Sequence, residues 1–145
     1  MSNFNKADDG NMVIGAYNMT NLPDIAAAKF FQASELGYVD IYATDRKIYA
    51  YDYQGTNTAK VVFDALPANE TITAMKLYKP RPNFNLSAVE GRLLYIATWD
   101  GTQGRLYEMA FNGVSGDITA TPKNIFTGFG KIYDVSAKNR GSGTY

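Results

Sequence analysis

The chain has 145 residues, 46% of them apolar, and its fourteen basic residues are balanced by fourteen acidic ones. This is enough material for one domain with its own core, and it leaves no basic excess of the kind that nucleic-acid binding uses. Histidine and cysteine are both absent, which excludes disulfides, zinc–thiolate sites, cysteine nucleophiles and histidine triads.

No apolar run approaches the roughly 20 residues of a membrane-spanning helix. Eleven tyrosines and eight phenylalanines favour sheets over helices, and thirteen glycines suit a chain with many turns. Residues 1–10, MSNFNKADDG, form a polar N-terminal segment without the apolar stretch of a signal peptide. Residues 11–20 have an apolar centre, NMVIGAYNMT, and read as one strand. Asn21-Leu22-Pro23-Asp24 is a turn in which Asp24 is placed to cap a short helical turn. IAAAKFFQASEL, residues 25–36, fits either an amphipathic helix of about three turns or, as its place in the repeat favours, one helical turn followed by a strand over 29–33.

Residues 39–53, VDIYATDRKIYAYDY, alternate about a Thr-Asp-Arg turn and predict a hairpin. An outer strand follows at 59–66, a turn at 67–70, and another strand at 71–78. Residues 79–91 hold two prolines and predict a long exposed loop. A second hairpin spans 92–111, RLLYIATWDGTQGRLYEMAF. It is followed by a connection at 112–122, an outer strand at 123–128, a strand at 131–137 and a polar, flexible tail at 139–145.

The two hairpins belong to a repeat. Ile41-Tyr42-Ala43-Thr44 answers Tyr95-Ile96-Ala97-Thr98, and Lys47-Ile48-Tyr49 answers Arg105-Leu106-Tyr107, with a longer turn in the second copy. Lys60-Val61-Val62-Phe63 answers Lys123-Asn124-Ile125-Phe126. A repeat of four short strands over roughly 45–55 residues is the mark of a β-propeller blade. The fold expected is therefore all-β, a partial β-propeller of about two four-stranded antiparallel blades with flanking strands of adjoining blades. Residues 11–138 make up this segment, with blades over 28–66 and 71–128 and flanking strands at 11–20 and 131–137. Since a closed propeller needs four or more blades, the chain is expected either to be part of a longer one or to form a homo-oligomer through its open faces.

Several strings are characteristic in combination. They are Pro23-Asp24-Ile25 with Ala28-Lys29-Phe30-Phe31, Tyr42-Ala43-Thr44 with Lys47-Ile48-Tyr49-Ala50-Tyr51-Asp52, Ala97-Thr98-Trp99-Asp100-Gly101 with Gly104-Arg105-Leu106-Tyr107-Glu108, and residues 128–135, GFGKIYDV. Over residues 11–140 the chain resembles the C-terminal region of PKD-like surface lipoproteins of Bacteroides-type gut bacteria, a family of unknown function. The resemblance implies a lipid-anchored parent at the outer-membrane surface, immunoglobulin-like modules ahead of the propeller, and a setting beside glycan-import systems. It supplies no catalytic residues.

Four aromatic residues at predicted loop ends, Tyr38, Tyr53, Phe84 and Trp99, are the candidate ligand-binding residues. Exposed rings stack on sugar faces while neighbouring polar groups bond hydroxyls; the same rings could instead fill contacts between blades. Trp99-Asp100 is not a WD-repeat signature, because it closes the second strand and no histidine accompanies it. Asp8-Asp9-Gly10-Asn11 lacks EF-hand spacing. Asp52, Asp64, Asp100, Glu108 and Asp134 show no spacing that selects a glycosidase pair. No catalytic residue, metal ligand or cofactor is expected. The expected function is non-enzymatic recognition of a glycan or of an outer-membrane uptake protein. The alternatives are a glycan hydrolase or lyase completed by the rest of a propeller, or a structural spacer.

Overall fold

The computed structural model describes residues 4–6, 12–14, 17–18, 22–33, 39–53, 55–78 and 92–136. Among them the protein is all-β, and its helical content is a single 3-10 turn at Ile25–Ala27. A small antiparallel sheet holds β1 (Phe4–Lys6), β2 (Met12–Ile14) and β3 (Tyr17–Asn18) in that order. Two four-stranded antiparallel meanders follow. The first runs β4 (Phe30–Ala33), β5 (Asp40–Ala43), β6 (Ile48–Asp52) and β7 (Thr58–Phe63). The second runs β8 (Thr71–Tyr78), β9 (Leu93–Trp99), β10 (Gly104–Ala110) and β11 (Asn124–Phe129).

Several expectations change. Residues 11–20 are not one strand, because β2 and β3 pair with each other, Ile14 opposite Tyr17. The segment 1–10 also contributes β1, which pairs with β2. Residues 131–136 form no strand: no ladder neighbours them among the described residues, and Tyr133 is 78% exposed. The tail 139–145 lies outside the described residues. The second hairpin does not have the longer turn. Ala43 pairs with Ile48 and Trp99 with Gly104, so four residues connect the strands in each, and the extra length is in β9 and β10. Asp24 makes no side-chain cap; its carboxylate instead accepts the hydroxyl of Tyr49.

Strand register explains the core. Residues opposite one another in an antiparallel ladder share a face, and successive residues alternate. Ile41 faces Ala50, and Ala43, Ile48 and Phe63 form one row, which puts five apolar residues on one face of the first meander. Met75, Ile96 and Tyr107 form a row in the second, as do Leu77, Leu94 and Met109. These two faces merge into one buried cluster with Val39, Leu66, Ile72 and Phe111, so the meanders pack face to face. Polar contacts also cross between their strands: the Leu77 amide donates to Gln32 Oε1 at 3.2 Å, and the Ile72 amide to the Asp45 carbonyl at 2.6 Å.

The other face of the first meander is a tyrosine surface. Tyr42 and Tyr49 stack with centroids 4.9 Å apart and planes 3° from parallel. Leu22, Ile25 and Ala28 cover them together with Tyr51 and Tyr53. The Tyr42 hydroxyl donates to the Pro23 carbonyl at 2.8 Å, so the covering segment is hydrogen-bonded to the rings beneath it.

Ile96 is wholly buried at the centre of the inter-sheet core. Ile96→Ala is expected to cost about 2–5 kcal/mol, the transfer term plus the cavity left behind. Ile125, opposite Tyr107 on the same face, is 52% exposed at the rim, and Ile125→Ala should stay within about 0.5 kcal/mol. Urea unfolding of the two variants checks the difference; equal losses would mean that the faces are not packed as described.

Candidate binding site at the hairpin mouths

Three pieces of chain meet at one end of the two meanders: the turn 44–47, the connection 64–70 and the turn 100–103. The first turn is closed by Thr44, whose Oγ1 accepts the amides of Arg46 at 3.3 Å and Lys47 at 3.1 Å. This aims Arg46 at the connection. Its Nη1 donates to the carbonyls of Pro67 (3.1 Å), Ala68 (3.2 Å) and Glu70 (2.6 Å), and its Nη2 to that of Leu66 (3.2 Å).

Glu70 ends the connection and is 3% exposed. A buried carboxylate must be satisfied by donors or cations. Its Oε1 accepts the hydroxyls of Thr98 at 2.6 Å and Tyr107 at 2.7 Å, and its Oε2 lies 3.4 Å from Arg105 Nη1. Arg105 also donates to Asp100 Oδ2 at 2.8 Å. Asp100 Oδ1 closes the second turn by accepting the amides of Thr102 (2.7 Å) and Gln103 (2.8 Å), and Gly101 takes a φ of 95° there. The amides of Gln103 and Thr102, then Arg105, hold the Asp100 carboxyl below the usual carboxylate range.

Trp99 stands at the edge of this network. It is partly exposed, opposite Thr71 on β8 and Gly104 on β10, and is followed by Asp100, Thr102 and Gln103. Its ladder neighbours are thus a threonine and a glycine, and the turn that follows it holds a carboxylate and an amide side chain. Gly104 must be glycine, because a Cβ there would run into the Gly130 carbonyl as the chain crosses above β10. Tyr53 does not join the site. It follows β6 at the end away from the turn 44–47, is 8% exposed, and lies 6.1 Å from the Tyr51 ring. Tyr38 and Phe84 lie outside the described residues, as does the Asp8-Asp9-Gly10-Asn11 string.

The five carboxylates considered from the sequence fall into separate bonding sets. Asp52 accepts the amides of Gly55 (2.9 Å) and Thr56 (3.2 Å) in its own turn. Glu108 accepts Tyr95 and Asn124, and Asp134 accepts the Val135 amide. Asp64 is exposed, and Asp100 is bound as above. No group of three acidic residues able to hold a metal ion occurs among the described residues. A separate cleft of about 440 Å³ lies between β6–β7 and the loop after β10, lined by Asp52, Thr56, Thr58, Lys60 and Ser115 among others. Its rim is tied by the Lys60–Asp117 pair at 2.9 Å.

Glu70, Arg46 and Arg105 were not singled out in the sequence. Glu70 stands in a plain Asn-Glu-Thr string, and its hydroxyl partners come 28 and 37 residues later. Local pattern carries no sign of such a pairing.

Two outcomes follow. Glu70→Ala leaves the Thr98 and Tyr107 hydroxyls without their acceptor and Arg105 with Asp100 alone, and is expected to cost about 1–3 kcal/mol. Chemical denaturation measures it, and a loss under about 1 kcal/mol would show the network to be incidental. The second concerns alkali. Burial first, and then the carboxylates of Glu70 and Asp24, push Tyr107 and Tyr49 from 10.0 up to about 12. Each phenol holds its proton more tightly in the folded chain than in the unfolded one. The stabilisation is therefore complete below pH 10 and is lost as pH rises through about 12. Unfolding midpoints should fall across that window together with phenolate absorbance; phenols ionising near their ordinary value with no loss of stability would refute this.

No model of a known protein family matches the chain, and no curated protein matches it either.

Proposed function

We propose that the chain is a non-enzymatic recognition module that binds glycan at the hairpin mouths, with Trp99 as its stacking ring. In this reading the two meanders are successive blades of a propeller-type stack. The parent protein is lipid-anchored at the outer surface of a bacterium and works beside a polysaccharide-uptake assembly. The repeat of strand order and face packing between the meanders supports the fold reading. The surface setting rests on the resemblance in the residue strings.

The observation that carries the binding reading is the position of Trp99: a partly exposed indole at a hairpin mouth, bordered by Thr71 and followed by Asp100, Thr102 and Gln103. An indole offers a flat apolar face to sugar C–H groups, while side chains and turn groups nearby can bond hydroxyls. The network beneath holds the ring's strand in place without presenting a proton donor. Asp100 is kept ionised by two amides and a guanidinium, and Glu70 has both oxygens engaged. That arrangement favours binding over acid–base chemistry.

Trp99 is the only tryptophan in the chain, so its emission reports this site alone. Titration with plant and host glycans is expected to shift that emission for at least one class. Trp99→Ala should weaken retention on that glycan by about tenfold or more, as loss of an aromatic anchor does. No response across the panel, with retention unchanged in Trp99→Ala, would sink the reading.

A further inference from the structure

The two meanders part at the end away from Trp99. Along β6 the core-facing residues are Ile48, Ala50 and Asp52, and the residues opposite them on β7 are Phe63, Lys60 and Thr58. Val39 and Ala50 belong to the buried inter-sheet cluster, whereas Thr58 and Lys60 are exposed. The face that packs as core beside the turn 44–47 therefore turns polar at its other end, where it is left uncovered. There lies the cleft of about 440 Å³, within the range of about 300–1,000 Å³ that small-molecule sites occupy.

Both walls of the cleft are built in advance. On one side the Asp52 carboxylate accepts the amides of Gly55 at 2.9 Å and Thr56 at 3.2 Å, and the hydroxyls of Thr56 and Thr58 are 2.6 Å apart. On the other side Asn112 Oδ1 accepts the amides of Val114 at 2.9 Å and Ser115 at 3.0 Å, and Ser115 Oγ accepts that of Asp117 at 3.1 Å. Gly116 lets this loop rest on the cleft floor, because a Cβ there would lie 2.4 Å from that of Ala50. Lys60 and Asp117, 2.9 Å apart, tie the walls together. A site fixed in this way loses little binding energy to ordering itself.

The lining selects the ligand. The floor, Val39 and Ala50, is apolar and suits the C–H face of a ring. Asp52 and the threonine hydroxyls present acceptors, and Lys60 keeps two N–H donors beyond its pair with Asp117. Asp52 and Lys60 stand diagonally across the ladder, about 7–8 Å between backbones, so one ring on the floor lies within reach of both. Groups that each donate and accept, as sugar hydroxyls do, match this mixture. Charge narrows the class further. Two carboxylates, Asp52 and Asp117, stand against one ammonium, Lys60. The excess opposes a uronate, and the ammonium opposes a second cation.

We infer that the cleft is a second binding site, for one neutral sugar residue, with Asp52, Thr58 and Lys60 bonding its hydroxyls above Val39 and Ala50. It goes beyond the reading of Trp99 and stands without it, since the cleft lies at the opposite end of β6 from the turn 44–47.

Amide NMR of the isotope-labelled 145-residue chain tests it. The probes are the methyl glycosides of glucose, galactose and mannose, with glucuronate and ethylammonium as charged counterparts. At least one neutral glycoside is expected to shift the amides of residues 55–60 and 113–116 saturably, and to bind about threefold or more tighter than either charged probe. Thr58→Val keeps the branched shape on an exposed strand and removes the hydroxyl. It should weaken that binding about threefold to tenfold, the loss of one hydrogen bond. No saturable shift at those amides overturns the inference. So does a charged probe that binds as tightly, or a Thr58→Val chain that binds unchanged. Shifts confined to residues 99–103 overturn it while leaving the hairpin-mouth reading intact. Shifts at the cleft with none near Trp99 uphold this site and remove the other.

Discussion

The joint between the two meanders carries most of the structural burden. The chain leaves the first meander at one edge, β7, and must reach β8 through residues 64–70 without a ladder to pair with. The carbonyls of Leu66 and Glu70, both buried residues, would be costly if left unsatisfied. The Arg46 guanidinium answers both, Nη1 to Glu70 and Nη2 to Leu66, and Nη1 also reaches the exposed carbonyls of Pro67 and Ala68. At the end of the same path Glu70 enters the core of the second meander and is met by Thr98, Tyr107 and Arg105. The turn of one hairpin and the strands of the next therefore grip one connection from its two ends. That grip fixes how the apolar faces meet, and the burial of those faces, about 1.5–3 kcal/mol for each large side chain, supplies the stability.

What could be read from the residues was what neighbours decide. β8 lies at the predicted residues 71–78, and the turn-then-strand reading of 25–36 agrees with the 3-10 turn and β4. Both hairpins were visible because their apolar runs stop at Asp, Gly and Thr. The hydrophobic pattern, though, reports a tendency to extend and not the presence of a partner. KIYDVSA has the composition of a strand, yet residues 131–136 join no ladder among the described residues. Residues 11–20 failed in the opposite way: a pattern read as one strand is two, paired with each other.

The candidate site was legible to the same depth. Trp99 stood out because a lone tryptophan before Asp-Gly marks the end of a strand. Tyr53, beside Gln54-Gly55, looked equivalent and is not, because the covering segment at 22–28 closes that face of the first meander. Whether a strand-end aromatic is exposed depends on what crosses above it, and that is a long-range fact. The buried acid–arginine network is long-range as well, so no local string announced it.

The two outer faces show how the same repeat can be finished differently. On the first meander, stacked tyrosines bring hydroxyls that need acceptors, and the Pro23 carbonyl and the Asp24 carboxylate provide them from within the chain. Asp24 does so from a left-handed backbone conformation, φ 55°, that few residues accept readily. Polar satisfaction and apolar cover arrive in one segment, which closes that face. On the second meander Glu108 is satisfied sideways, within the sheet, by Tyr95 and Asn124. The two outer faces thus differ in where their hydrogen bonds point: up to a covering segment on the first meander, across the strands on the second.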